Sequence, residues 1–370
     1  MRAMLSFLYV FGAYSFANAD DEKKTPTLKE KVAEIQKELE VAGEEIGKKA
    51  REAKTDDERN ALHAEFFVIS RRVGEKILSA VKAMPKDPFA FEATFQASQD
   101  DNADATDYFI ANFINDERVL EVVMPRLIPW GQGVKLLTAL AEKSKSKEVR
   151  GIARFVLVKE EIEGTEQPLD GKPLPERVVA AKMATALTKL DAVVKEFAEV
   201  KLPARRGANQ TIAEAGKELK FFVEHLVVGK VAPDAECELL EQGKKSSLKD
   251  YRGKVVVLDI WATWCGPCKA MIPHQTEMVK HFEGKPFMLL SISVDEKKET
   301  LTKFLEKEAM PWTHWWAGRE NQSIKNYQVK GYPTIYVLDG KGVIRAKNIR
   351  GDALQKFVEK LIEEEARNRN

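Results

Sequence analysis

The sequence predicts a two-part protein, an all-helical N-terminal region followed by a C-terminal α/β domain. Three observations predict it. Apolar residues recur three and four apart behind two capping boxes, Thr27 to Glu30 and Thr55 to Glu58. From Val231 onward that periodicity gives way to short β-rich runs alternating with helical patterns. The length, 370 residues, allows two or three domains at roughly 100–200 residues each. Basic and acidic residues nearly cancel, 59 against 58, so the total charge carries no basic footprint for nucleic acid. Three cysteines exclude a disulfide-stapled scaffold.

The first nineteen residues read as an export signal. Arg2 is the only charge before Asp20, and Leu5 to Phe16 is apolar. Ala17-Asn18-Ala19 then offers the small-x-small pattern of a signal-peptidase site, followed by the charged run Asp20 to Lys24. The alternatives are an uncleaved anchor or a buried N-terminal helix, against which the apolar stretch is short. Cleavage implies an extracytoplasmic mature chain, residues 20–370, with no further membrane span. The expected boundaries are signal 1–19, helical region 20–225 and catalytic domain 226–370.

The helices follow in order. Leu28, Val32, Ile35 and Leu39 make one apolar stripe, and Leu62, Phe66, Ile69, Val73 and Ile77 a second, which together predict a hairpin. Met84-Pro85-Lys86-Asp87-Pro88 ends the second helix. Shorter helices are expected around 89–98, 105–115, 117–127, 133–143 and 147–162, in repeat-like pairs, although no clean sequence repeat exists. Gly164 to Pro175 reads as a loop, and two more helices are expected near 176–200 and 209–226. No catalytic constellation occurs in this half. His63 stands alone beside an apolar stripe, and Phe109, Phe113, Trp130 and Phe155 read as core.

The C-terminal third carries the chemistry. Glu236 to Leu240 and Lys244 to Ser247 flank Gln242-Gly243 as a hairpin. Lys254 to Ile260 is apolar enough for a buried central strand. Trp261-Ala262-Thr263-Trp264-Cys265-Gly266-Pro267-Cys268 follows directly, opening a helix expected to run to Phe282 with a kink at Pro273. Then come a strand at Phe287 to Ser293, a helix at Glu296 to Lys307, strands at Pro333 to Leu338 and Val343 to Lys347, and a helix at Asp352 to Glu365.

A thiolate, not a thiol, attacks a disulfide. Cys265 stands just before a helix start, where unpaired N–H groups and the helix dipole favour negative charge, so its pKa is expected below the free value. Cys268, one turn on, is near enough to close a disulfide with it. Gly266 and Pro267 keep the turn tight. Cys265 is therefore the expected nucleophile and Cys268 the resolving thiol.

Residues 229–366 resemble the extracytoplasmic TlpA-like and ResA-like branch of the thioredoxin family. The resemblance is carried by Gly229 to Asp234, Leu248 to Lys254, Trp261 to Cys268, and Gly331-Tyr332-Pro333-Thr334. It implies a thioredoxin fold and a thiol–disulfide oxidoreductase acting on protein disulfides, with no bound cofactor or metal. It also implies a membrane electron donor, and cytochrome c maturation as a destination. Asp259 matches the buried acid that relays a proton for the second cysteine, and Pro333 the cis-proline facing the dithiol. The backbone at Tyr332 would pair with an extended substrate segment, and Trp264 would offer it an exposed platform. The chain departs from the pattern at Met271, where many relatives carry Glu three residues past the second cysteine.

Other features read more simply. Cys237 is expected to be a free, partly buried thiol, His274 a surface histidine, and at least two tryptophans of Trp312 to Trp316 core. Gly-Pro between the cysteines favours a reductant over a strong oxidant. Two alternatives remain at this stage. One is a disulfide oxidase or isomerase, and the other is a helical binding or assembly protein whose thioredoxin-like domain senses redox state.

Overall fold

The structure, a computed structural model, describes residues 25–99, 102–127, 129, 131–166, 175–203 and 210–367. The expected signal segment 1–19 and Trp130 lie outside these residues. The chain divides into two compact units, one of 1–160 with 190–215, the other of 161–189 with 216–370.

The first unit opens with helix α1 (Leu28–Glu52) and helix α2 (Asp56–Ala83). Both expected capping boxes form, with Thr27 and Thr55 accepting the backbone N–H three residues on. Leu28 and Val32 of α1 and Val73, Ile77 and Val81 of α2 are buried in one apolar cluster, which pins the two helices as a hairpin. Helices α3 (Ala90–Gln99), α4 (Ala103–Phe113), α5 (Gln132–Lys143) and α6 (Lys147–Glu166) follow. Phe91 packs on Phe109 and edge-on to Phe113, and the Arg118 guanidinium lies 4.2 Å from the Phe91 ring centroid.

Two expectations are corrected here. The helix expected over 117–127 is a π-helical stretch at Val119–Val123 followed by a turn at 124–126. Gly164, expected to open a loop, lies within α6, which runs on to Glu166, and residues 167–174 of that expected loop lie outside the described residues. Among the last residues of that helix, the Thr165 hydroxyl bonds back to the Glu161 carbonyl. Helices α7 (Glu176–Phe197) and α8 (Ile212–His225) complete the helical half.

The second unit is built on a seven-stranded sheet. Strands β1 (Glu236–Leu239) and β2 (Lys244–Ser247) form the expected hairpin. Strand β3 (Val255–Trp261) is buried along its whole length and sits between β4 (Phe287–Ser293), parallel, and β6 (Thr334–Leu338), antiparallel. Strand β5 (Thr313–Trp316) lies parallel to β4, and β7 (Ile344–Lys347) closes the other edge. The order is β2-β1-β5-β4-β3-β6-β7. The expected aromatic cluster is thus a strand, with Trp315 fully buried and Trp312 nearly so.

Five helices accompany these strands. After β3 come α9 (Gly266–Lys269) and α10 (Ile272–His281). The single kinked helix expected here is therefore two helices. Pro273 falls in the first turn of α10, where a missing N–H costs nothing, so it starts a helix instead of bending one. Helix α11 (Lys298–Leu305) follows β4, short α12 (Gln322–Asn326) follows β5, and α13 (Gly351–Arg367) follows β7. Leu354, Val358 and Leu361 of α13 are buried in the same core as β3. No described helix is long and apolar enough to cross a membrane.

Candidate active site

The site is assembled where β3 ends. Its strand is buried, so the loop Ala262 to Trp264 must turn out of the sheet with its polar groups satisfied. Asp295, buried at the end of neighbouring β4, does this. Its carboxylate accepts the Thr263 N–H at 3.1 Å, the Thr263 hydroxyl at 2.8 Å and the Ser293 hydroxyl at 2.7 Å. Its carbonyl accepts the indole N–H of Trp316 at 2.9 Å. Sequence reading missed Asp295. The available signal was its place just past the end of a strand parallel to the one that feeds the cysteines.

Cys265 caps α9 and is joined to Cys268 by a disulfide, with Cα atoms 5.3 Å apart. The Cys268 N–H donates to the Cys265 sulfur at 3.2 Å. In the reduced protein the same donor favours the Cys265 thiolate. Burial does not separate the two cysteines, since both are nearly inaccessible. The amide asymmetry does. Gly266 and Pro267 are exposed between them.

Trp264 is 58% exposed, and its ring meets Tyr332 edge-on at 5.5 Å. The Tyr332–Pro333 peptide bond is cis. Arg350, between β7 and α13, donates to the Pro333 carbonyl at 3.2 Å. A cleft of about 450 Å³ opens beside Trp264, lined also by Asp295, Glu296, Lys297, Thr300 and Arg319.

Asp259 lies within β3, opposite Ser291 of β4 and Ile335 of β6. It is buried, and burial pushes its carboxyl up to about 6 from the ordinary 3.8. The Gln275 amide, the positive charge of Arg350 and, more weakly, Ser291 pull the other way. Gln275 donates to Oδ2 of Asp259 at 2.9 Å, while Oδ1 is buried with no hydrogen-bond partner. Gln275 and Arg350 were also missed. A lone Gln on a helix and an Arg near a helix start carry no motif.

Cys237 and Trp261 belong to the same buried core as the cysteine pair. Cys237 is a free thiol on β1, buried more completely than expected, and burial pushes it up to about 12. Trp261 is core, edge-on to Phe304. His274 has Nε2 3.5 Å from the Asp352 carboxylate.

A disulfide-bonded Cys-Gly-Pro-Cys pair at a helix start, beside a cis-proline on a thioredoxin-like sheet, is the arrangement of a thiol–disulfide oxidoreductase. The profile of the AhpC/TSA family matches residues 228–347. The thiol-disulfide oxidoreductase ResA of Geobacillus thermodenitrificans is 32% identical over 145 residues, covering 39% of this chain and 82% of that relative. The thioredoxin-like protein YneN of Bacillus subtilis is 35% identical over 118 residues, covering 32% of this chain and 68% of the relative. A solved thioredoxin domain of a thiol-disulfide oxidoreductase from Bacteroides vulgatus is 31% identical, covers 37% of this chain and 99% of its own, and gives a TM-score of 0.36. The chain belongs to the ResA family of thiol–disulfide oxidoreductases.

Proposed function

We propose that the protein reduces protein disulfides outside the cytoplasm, after cleavage of residues 1–19, and draws its electrons from a membrane thiol–disulfide relay. In this reading 226–370 is the catalytic domain and 20–225 a helical extension. The observation that carries it is the Cys265–Cys268 disulfide at a helix cap, with an amide aimed at Cys265.

The Cys265 thiolate attacks one sulfur of the substrate disulfide, and the other sulfur leaves as a thiolate. Cys268 gives its proton to the Asp259 carboxylate and attacks Cys265. That breaks the mixed disulfide and frees the second substrate thiolate, which takes a proton. The protein dithiol is oxidised and the substrate disulfide reduced. The buried Asp259 carboxyl, with one bare oxygen, supports its role as acceptor. Trp264, Gly266, Pro267 and Tyr332 form the contact surface, and Pro333 holds the substrate segment facing the sulfurs. Cytochrome-type cysteine pairs, in their disulfide form, are the proposed substrates.

The experiment is the equilibrium reduction potential of the mature chain in dithiothreitol and glutathione buffers. A value near that of thioredoxin, about −270 mV, is expected. A value near about −120 mV would make the protein a disulfide donor and end the reductase reading.

A further inference from the structure

We propose that Gln275 is a positioning residue for the resolving step. Its buried amide holds Oδ2 of Asp259 and leaves Oδ1 bare to take the Cys268 proton. The inference rests on the reading of Asp259 as that acceptor.

The buried face of α10 consists of Ile272, Gln275 and Met278. Two of the three are apolar, and Gln275 is only 1% exposed. An apolar side chain at 275 would fill this face without burying an amide, and a buried amide is costly unless its donors are used. The Gln275 donor is used on Asp259, at 2.9 Å. Met271, one turn earlier, brings no carboxylate to the site, and its carbonyl accepts the Gln275 backbone N–H at 3.0 Å.

The groups acting on Asp259 come from three directions. They are Gln275 from α10, Ser291 from β4 and Arg350 from the segment before α13. From β6 its register partner is the apolar Ile335. A donor bonded to the carboxylate favours the ionised form. Gln275 therefore keeps Asp259 able to accept a proton at lower pH than burial alone would allow. It also fixes which oxygen accepts.

The test uses the full-length reduced protein and an aromatic disulfide that releases a coloured thiolate. The first release reports attack by Cys265, and the second reports resolution by Cys268. The pH dependence of the second phase is recorded for wild type, Gln275→Met and Asp259→Asn. Gln275→Met is expected to move the midpoint up by about one pH unit, slowing resolution about tenfold on the acid limb and leaving the alkaline plateau. If Asp259→Asn loses the limb but Gln275→Met keeps the wild-type midpoint, Gln275 has no such role and the Asp259 reading stands. If Asp259→Asn keeps the wild-type limb, the Asp259 reading itself fails. In wild type, the Gln275 side-chain amide resonances should titrate with that same midpoint, a readout that survives a variant that does not fold. Amide resonances indifferent to pH across the limb would overturn the proposal.

Discussion

At the scale of single residues, Asp259 ties stability to pH. Folded, it keeps its proton up to about pH 6, whereas unfolded it releases it near the ordinary 3.8. The stability it contributes is full below the unfolded value and is lost as pH rises through the folded one. Asp259→Asn cannot ionise, so above that window it should be the more stable protein, by on the order of 3 kcal/mol. Denaturant unfolding of both forms at pH 4 and pH 8 would measure this, and most of the gap should appear only at the higher pH. The cysteines were legible from their spacing at a helix start, and the buried acid and the cis-proline through the family resemblance. Gln275, Asp295 and Arg350 were not, because their meaning comes from what the fold sets beside them: a carboxyl across the sheet, a loop amide, a carbonyl on the proline turn.

At the scale of elements, packing decided more than pattern. The capping boxes and stripes of α1 and α2 were readable because helix ends and faces are local. The strand Thr313–Trp316 was not, because four aromatic-rich residues have no period long enough to separate strand from core filler. Gly151 in α6 illustrates the same limit. A Cβ there would stand 2.8 Å from the Phe197 ring, and the Arg154 guanidinium already lies over that ring at 5.4 Å. Alanine usually favours a helix over glycine by roughly 0.5–1 kcal/mol, but overpacking costs about 1–3 kcal/mol. Gly151→Ala should therefore destabilise the helical half and leave the redox chemistry intact. Thermal melting followed by far-UV circular dichroism, beside an insulin-reduction assay, would check both halves of that statement. A variant as stable as wild type would mean that Phe197 yields.

At the scale of the whole molecule, the compact unit that holds the dithiol also includes residues 216–225. Phe221 and Phe222 pack against the core that holds β3 and α13, Lys347 lies 4.5 Å over the Phe222 ring, and Gln328 donates to the Glu218 carbonyl at 2.7 Å. A fragment of 226–370 should keep its dithiol couple. It should also melt lower than one of 212–370, by more than about 4 °C, since it loses two partly buried phenylalanines. Equal melting temperatures would show that α8 adds nothing to this unit. Residues 161–189 belong to the same unit, and the Glu163–Lys330 ion pair lies within it. The composition shift near Val231 could not reveal this, because helices that close a core from outside the sheet look like any other amphipathic helices.

The sequence holds six tryptophans, and among those described Trp264 alone is strongly exposed, directly before the reactive cysteine. The enzyme thus carries an optical probe at the mouth of its own site. Among the described tryptophans iodide reaches chiefly that indole, so a docked client will shield it and register occupancy without any label.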